Sequence, residues 1–178
     1  MPFYEFEGKK PVVGSGSFVH PEAVVLGDVV IGEGCYIAPG AVLRGDWGRI
    51  RIGKGCNIQD NCILHAGPGG QVILDDECHI GHGAILHEVT LGHHVLVGMG
   101  AVVQDRSRIG DGCVIGAGCV VLADSEIPPR KVVVGVPGQI ISDVSEKREK
   151  YAWEGTRHYQ ALPGRYQKAF REIKQEDL

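Results

Sequence analysis

Three histidines stand at positions that suit a shared metal ion. His65 ends the segment 57–65, and His82 and His87 lie in the segment 80–87. His65 and His87 each follow a leucine directly, whereas His82 follows a glycine. Three neutral imidazoles plus one water form the open ligand set of catalytic Zn²⁺ sites, and Fe²⁺ accepts the same ligands. These residues therefore predict chemistry carried out by a metal-activated water.

A six-residue repeat positions these histidines. Aliphatic residues recur at every sixth position from Val19 to Leu43, and again without interruption from Leu91 to Val133. The residue two positions earlier is small in nearly every unit, and all six cysteines occupy that position. Because residues two apart share one face of a strand, each unit directs one bulky and one small side chain inward. We therefore expect the cysteines to be free and to fill the core.

The predicted fold is an all-β solenoid, a parallel β-helix with triangular coils, over residues 1–138. A six-residue unit cannot bury its apolar face alone, so the units stack into coils of about 18 residues. Residues 139–178 form a charged, helix-forming segment that we expect to pack on the β-helix. Ser142 or Ser145 is its candidate N-cap, and Pro163-Gly164 divides it into two helices.

The repeat places His65 and His87 at equivalent outward positions, stacked one coil apart at about 5 Å. His82 lies on the preceding unit, around a corner of the triangle. A third ligand then comes from a neighbouring chain, which predicts a homotrimer with metal sites at its subunit interfaces. The alternative is that these histidines are merely solvated. The other five are expected at the surface or in supporting positions: His20, His79, His93, His94 and His158.

Composition excludes several classes of partner. The 178 residues carry 18 Lys+Arg and 22 Asp+Glu, a formal charge of −4 without a basic patch, so we expect no nucleic-acid partner. The longest aliphatic runs are three or four residues, far below the roughly 20 that span a bilayer, so no membrane partner is expected either. The first residues lack the pattern of an export signal, which predicts a cytoplasmic location.

Motifs spread over most of the chain carry a family resemblance. They are Gly27-Asp28-Val29, Leu43-Arg44-Gly45-Asp46, Asn57-Ile58-Gln59-Asp60-Asn61 and the block from His79 to Gly98. Together they resemble the γ-class carbonic anhydrase family of left-handed hexapeptide-repeat trimers. A narrower similarity is to the branch of the phenylacetic acid degradation and carnitine operon proteins. Three segments carry it, 44–50, 79–87 and 155–160.

The resemblance implies a left-handed coil and a role for each site residue. His65 and His87 of one subunit and His82 of the next would hold Zn²⁺ or Fe²⁺. Arg44 and Asp46 would form ion contacts across the subunit interface near the metal.

Other family positions concern catalysis. Gln59 would hydrogen-bond the metal-bound water or the substrate, with Asp60 beside it, and Tyr159 resembles an active-site tyrosine. The acidic loop of well-characterised members is replaced by the neutral loop 66–70, and Trp47 replaces a glutamate. Fast CO2 hydration needs a proton exit, so these departures weigh against strong anhydrase activity.

The expected activity is that of a zinc-dependent carbonic anhydrase-like lyase or a thioesterase. A metal-bound hydroxide would attack CO2, giving bicarbonate, or an acyl-CoA thioester. The alternatives are a hexapeptide-repeat acyl- or acetyltransferase, which would use acyl-CoA between subunits and one histidine as general base, and a structural homologue without catalysis.

Overall fold

Short strands build a three-sided, left-handed parallel β-helix, which confirms the predicted fold class. The structure, a computed structural model, describes residues 2–174 and 176. In chain order the strands are β1 Phe3–Tyr4, β2 Val12–Val13, β3 Phe18–Val19, β4 Val24–Ile31, β5 Tyr36–Ile37, β6 Val42–Ile52, β7 Asn57–Ile58, β8 Ile63–His65, β9 Gln71–Leu74, β10 His79–Ile80, β11 Ile85–His87, β12 Thr90–Leu91, β13 Leu96–Val97, β14 Val102–Val103, β15 Arg108–Ile109, β16 Val114–Ile115, β17 Val120–Val121, β18 Glu126–Ile127, β19 Lys131–Val134 and β20 Gln139–Asp143. Helices α1 Glu146–Gln160 and α2 Leu162–Ala169 follow.

Strand pairing defines the three faces. On the first face, β8, β11, β14 and β17 stack on the start of β6. On the second face, β9, β12, β15 and β18 stack on the end of β6. The third face stacks β3, β5, β7, β10, β13, β16 and β19. Strands β4 and β6 are long because both continue around the corner between the first two faces.

The predicted inward residues form the core. The bulky positions on the first face, Leu43, Leu64 and Leu86, are fully buried, and all six cysteines are buried and free, as predicted. Glycine at the corners permits close stacking: a Cβ on Gly98 would lie 2.5 Å from the backbone nitrogen of Ala117 in the next coil. The repeat therefore specifies both the core and the contacts between coils.

Two boundaries differ from the sequence prediction. Residues 139–143 form β20, antiparallel to β19, because they pair with the otherwise open last strand of the third face. The helical segment therefore begins at Glu146, with Ser145 as its N-cap. The helices divide at Ala161 rather than at Pro163, which lies in the first turn of α2. Residues 175, 177 and 178 of the predicted segment lie outside the described residues, and the division of the chain into two domains stays a prediction.

The outward side chains give each face a different character. The third face is covered by the helices: Thr156 of α1 lies over His79, and Tyr166 of α2 lies 4.7 Å from Phe18 between ring centroids. The first face carries an uncovered stack of aliphatic side chains, here called the aliphatic column: Val24, Val42, Ile63, Ile85, Val102 and Val120. Neither helix in the described part of the chain is long and apolar enough to cross a bilayer.

Candidate functional site

The predicted site residues lie in two separate clusters of one chain. The first, here called the histidine pair, contains His65 and His87 at the end of the first face, beside Arg44 and Asp46. The second surrounds His82 on the turn after β10. Among the described residues no hydrogen bond joins His82 to the pair. The predicted meeting of all three imidazoles therefore requires a neighbouring copy.

Strand register brings the histidine pair together. Arg44, His65 and His87 occupy matching positions on β6, β8 and β11, because the coils stack in register. Nδ1 of His65 lies 3.2 Å from Nε2 of His87. Each ring directs its other nitrogen at a carboxylate: Nε2 of His65 lies 3.0 Å from Asp46, and Nδ1 of His87 contacts Asp105. Carboxylates in this arrangement fix the tautomer and orientation of metal-binding imidazoles.

The charges around His65 keep its ring neutral. Burial lowers the pKa of His65, although the hydrogen bond to Asp46 opposes the shift. Partial burial of Asp46 alone would raise the pKa of its carboxyl, but hydrogen bonds from Arg44, at 2.6 Å, and from His65 hold that pKa below its usual value. The structure thus presents a neutral imidazole and an ionised carboxylate.

Asp105 was missed in the sequence. It lies in the turn after β14, where no family motif identified a role, yet it follows His87 by 18 residues, one full coil. The in-register stacking of equivalent positions was the signal that could have revealed it. Trp47, by contrast, is 62% exposed beside His65 and projects from the same corner.

The second cluster joins His82, Asp60 and Tyr159. Oδ2 of Asp60 lies 2.6 Å from Nδ1 of His82, and the Tyr159 hydroxyl lies 3.3 Å from Nε2. With Asp60 accepting the Nδ1 proton, Nε2 of a neutral His82 is an acceptor. Burial and the charge of Asp60 raise the pKa of Tyr159, so its hydroxyl stays protonated at neutral pH. About half of the His82 side chain is exposed, which leaves it open to a ligand.

Gln59 belongs to a buried network beneath α1. Its Nε2 lies 2.9 Å from Asn57 and 2.7 Å from Nε2 of His79, and the side chain does not reach the histidine pair. Burial, with the neighbouring His94, lowers the pKa of His79 to about 4. The role in binding a metal-bound water that the resemblance implied for Gln59 stays a prediction.

A cavity of about 410 Å³ opens beside His82, between α1 and the third face. We call it the helix groove. Leu96, Met99 and Val114 form its solenoid wall, and Tyr151, Gly155 and Tyr159 form its helix wall. A larger hollow of about 730 Å³, at the first coil, is lined by none of the predicted site residues.

The two clusters support different chemistry. Asp60 and His82 form a carboxylate–imidazole pair that suits a general base, next to a groove that could hold an apolar substrate group. The histidine pair, with its two carboxylates, suits a divalent metal ion. His82 would be needed by both arrangements in an oligomer.

Comparison with known proteins places this architecture in a family. The family model described as "Bacterial transferase hexapeptide (six repeats)" matches residues 10–45 and 88–123. The carnitine operon protein CaiE of Escherichia coli O7:K1 is 41% identical over 165 residues, which cover 93% of this chain and 84% of that protein. CaiE of Proteus sp. is 40% identical over 162 residues, covering 91% and 82%.

Two solved structures superpose on nearly the whole chain at 34% identity. One is a Bacillus cereus protein assigned as an acetyltransferase, with a TM-score of 0.90, covering 92% of this chain and 95% of that one. The other is a hexapeptide transferase family protein from Anaplasma phagocytophilum, with a TM-score of 0.88, covering 92% and 97%.

These similarities correct the expected activity. Transferase descriptions of the related structures conflict with a zinc-dependent carbonic anhydrase-like lyase or a thioesterase, so that prediction was wrong. The three-histidine pattern misled because outward imidazoles stacked one coil apart do not by themselves define a reaction. The similarity to the carnitine-operon branch is confirmed. The chain belongs to the hexapeptide-repeat family that includes the carnitine operon protein CaiE.

Proposed function

We propose that this protein is an acyltransferase that moves an acyl group from acyl-CoA to a hydroxyl or amine acceptor, with His82 as the general base. The contact of His82 with Asp60 at 2.6 Å, at the mouth of the helix groove, is the observation that carries the proposal. The transferase relatives support the reaction class.

The chemistry follows from the hydrogen bonds of His82. Nε2 accepts the acceptor's proton while its oxygen or nitrogen attacks the thioester carbonyl carbon. The C–S bond then breaks, and the CoA thiolate takes up the proton from the imidazolium. Asp60 stabilises that imidazolium through Nδ1. The Tyr159 hydroxyl, 3.3 Å from Nε2, is placed to donate a hydrogen bond to the oxygen that gains charge during attack.

The aliphatic column supports a homotrimer. Ile63 is 42% exposed and Ile85 is 37% exposed, and both lie in a continuous apolar stack that nothing covers within the described residues. Burying such a stack against a copy of the chain is favourable, and cyclic symmetry closes the assembly. The column adjoins the histidine pair, so the copy covering it would lie beside that cluster.

The test measures acyl transfer from acetyl-CoA to a panel of amines and alcohols, followed by thiol release and by the mass of the acylated product. We expect His82→Ala to lower kcat by about 10² to 10⁴-fold, the usual contribution of a general base. His158→Ala is the control, because His158 is an exposed histidine of α1. Thiol release that needs no acceptor, or an unaffected His82→Ala variant, would contradict the proposal.

A metal-binding site is a second candidate, favoured by the geometry of the histidine pair. Two imidazole ligands of one tetrahedral Zn²⁺ stand about 3.3 Å apart, given Zn–N distances of about 2.0–2.1 Å. The ring nitrogens of His65 and His87 lie 3.2 Å apart, so the residues fit Zn²⁺ or Fe²⁺. His82 of a neighbouring copy would complete the set. A bound cation would polarise a carbonyl oxygen.

The two candidates make opposite demands on His82, because a ligand cannot also act as the base. Metal analysis of the purified protein separates them. Less than about 0.1 metal ion per chain, with transfer activity present, supports the base; about one per chain, lost in His82→Ala, supports the ligand.

A further inference from the structure

We propose that the helix groove is a pocket for the acyl chain and that Gly155 keeps it open, so that the enzyme accepts acyl groups longer than acetyl. The inference rests on the proposed function, since it concerns the acyl-CoA substrate of the same site. It adds a substrate class and a residue that selects it.

Gly155 is unusual for its position. It lies within α1, where glycine costs about 1 kcal/mol relative to alanine. No close contact explains it: a Cβ would meet the Cε1 atom of His79 at 3.6 Å, an ordinary van der Waals distance. The space above His79 is thus left empty, although the helix would be more stable if a side chain filled it.

The rest of the groove suits a chain of methylene groups. Leu96 and Val114 present their outward side chains on adjacent strands of the third face, and Met99 is 58% exposed at the rim. The floor beside them contains Gly81, Gly98 and Gly116. An acetyl group carries only one methyl and would leave this apolar wall wet, whereas a longer chain would cover it.

Polar groups gather near one end of the groove. Gln59 lines it and is 2% exposed, and its Oε1 accepts no hydrogen bond from the described residues. Because every fully buried side-chain oxygen and nitrogen in the described residues has a partner, that oxygen opens to the groove. It can accept an N–H, such as an amide of the pantetheine arm. His82 lies beside it for the transfer step.

The experiment compares binding of acetyl-, butyryl- and hexanoyl-CoA by calorimetry. Each buried methylene strengthens binding by up to about fourfold, so we expect the wild-type affinity to rise with chain length. In Gly155→Leu the ratio of hexanoyl- to acetyl-CoA affinity should fall at least tenfold. Gly164→Leu is the matched control, since Gly164 is a helical glycine in α2 with open space around it and is not among the groove residues.

Two further variants exclude trivial explanations. Gly155→Ala should raise Tm by about 2 to 4 °C while lowering the same ratio, because alanine favours the helix yet narrows the groove. Met99→Trp narrows the groove from the solenoid wall and should lower the ratio without touching the helix.

The outcomes separate the two proposals. A wild-type affinity that does not depend on chain length, or a ratio that is unchanged in Gly155→Leu, overturns the acyl pocket and leaves the transferase standing. Failure to bind any of the three thioesters overturns the proposed function, and the acyl pocket with it.

Discussion

At the scale of single residues, the paired carboxylates decide what each histidine can do. Asp46, Asp60 and Asp105 each contact one ring nitrogen of one histidine, so the opposite nitrogen is directed at its own cluster. The sequence motifs predicted two of these carboxylates as site residues. Asp105 lies outside every motif, because only the three-dimensional coil brings it beside His87.

If the histidine pair binds a metal, Asp105→Asn should weaken it about 10- to 100-fold, since the amide no longer fixes the His87 tautomer. Competition with a chelator, using Zn²⁺ or the spectroscopic probe Co²⁺, measures the affinity. Asp143→Asn is the control, because Asp143 pairs with Lys131 on β20, away from the pair. Equal affinities in the wild type and Asp105→Asn would remove Asp105 from the site.

At the scale of elements, α1 is docked on neutral histidines. The His94 ring stacks on Trp153 at 3.5 Å, and burial with the nearby His93 lowers the pKa of His94 to about 4. Thr156 contacts both His79 and His94. Since both are protonated more easily in the unfolded chain, they stabilise the fold fully above about pH 6.5, and this contribution is lost as pH falls through about 4.

We therefore expect Tm to fall between pH 7 and pH 4, with His94 accounting for about 1 to 2 kcal/mol of the free energy of unfolding. In His94→Gln the fall should be smaller, because glutamine does not titrate. His158→Gln, an exposed change on the same helix, should keep the wild-type slope. A slope in His94→Gln as steep as in the wild type would show that His94 does not contribute.

The repeat predicted strands and core but not every element. Periodicity identifies the inward positions, because each coil repeats the same small and bulky pair. It fails at Gln71–Leu74, where a strand resumes after a five-residue loop and shifts the register, and at Gln139–Asp143, where the partner is antiparallel. The helix groove was not predicted, since it depends on how α1 lies across the third face.

At the scale of the whole molecule, the aliphatic column should govern assembly. Ile85→Asp places a charge at its middle, and we expect trimers to dissociate, because an unpaired carboxylate is costly to bury. Light scattering coupled to size exclusion gives the mass. Ile73→Asp is the matched control: Ile73 is an outward isoleucine of the second face, beside Thr90. A trimeric Ile85→Asp variant would place the interface elsewhere.

The stacking of coils in register also restricts how this protein can change in length. Leu91 pairs with Ile109 and Ile109 with Ile127, so one turn of the prism takes 18 residues there. Inserting one hexapeptide upstream of His87 would rotate that histidine by a third of a turn, onto another side of the prism. Inserting three would return it to its original side, one layer further along the axis. Only the neutral loop at 66–70 lies outside this count, so it is where evolution or an engineer can add residues singly.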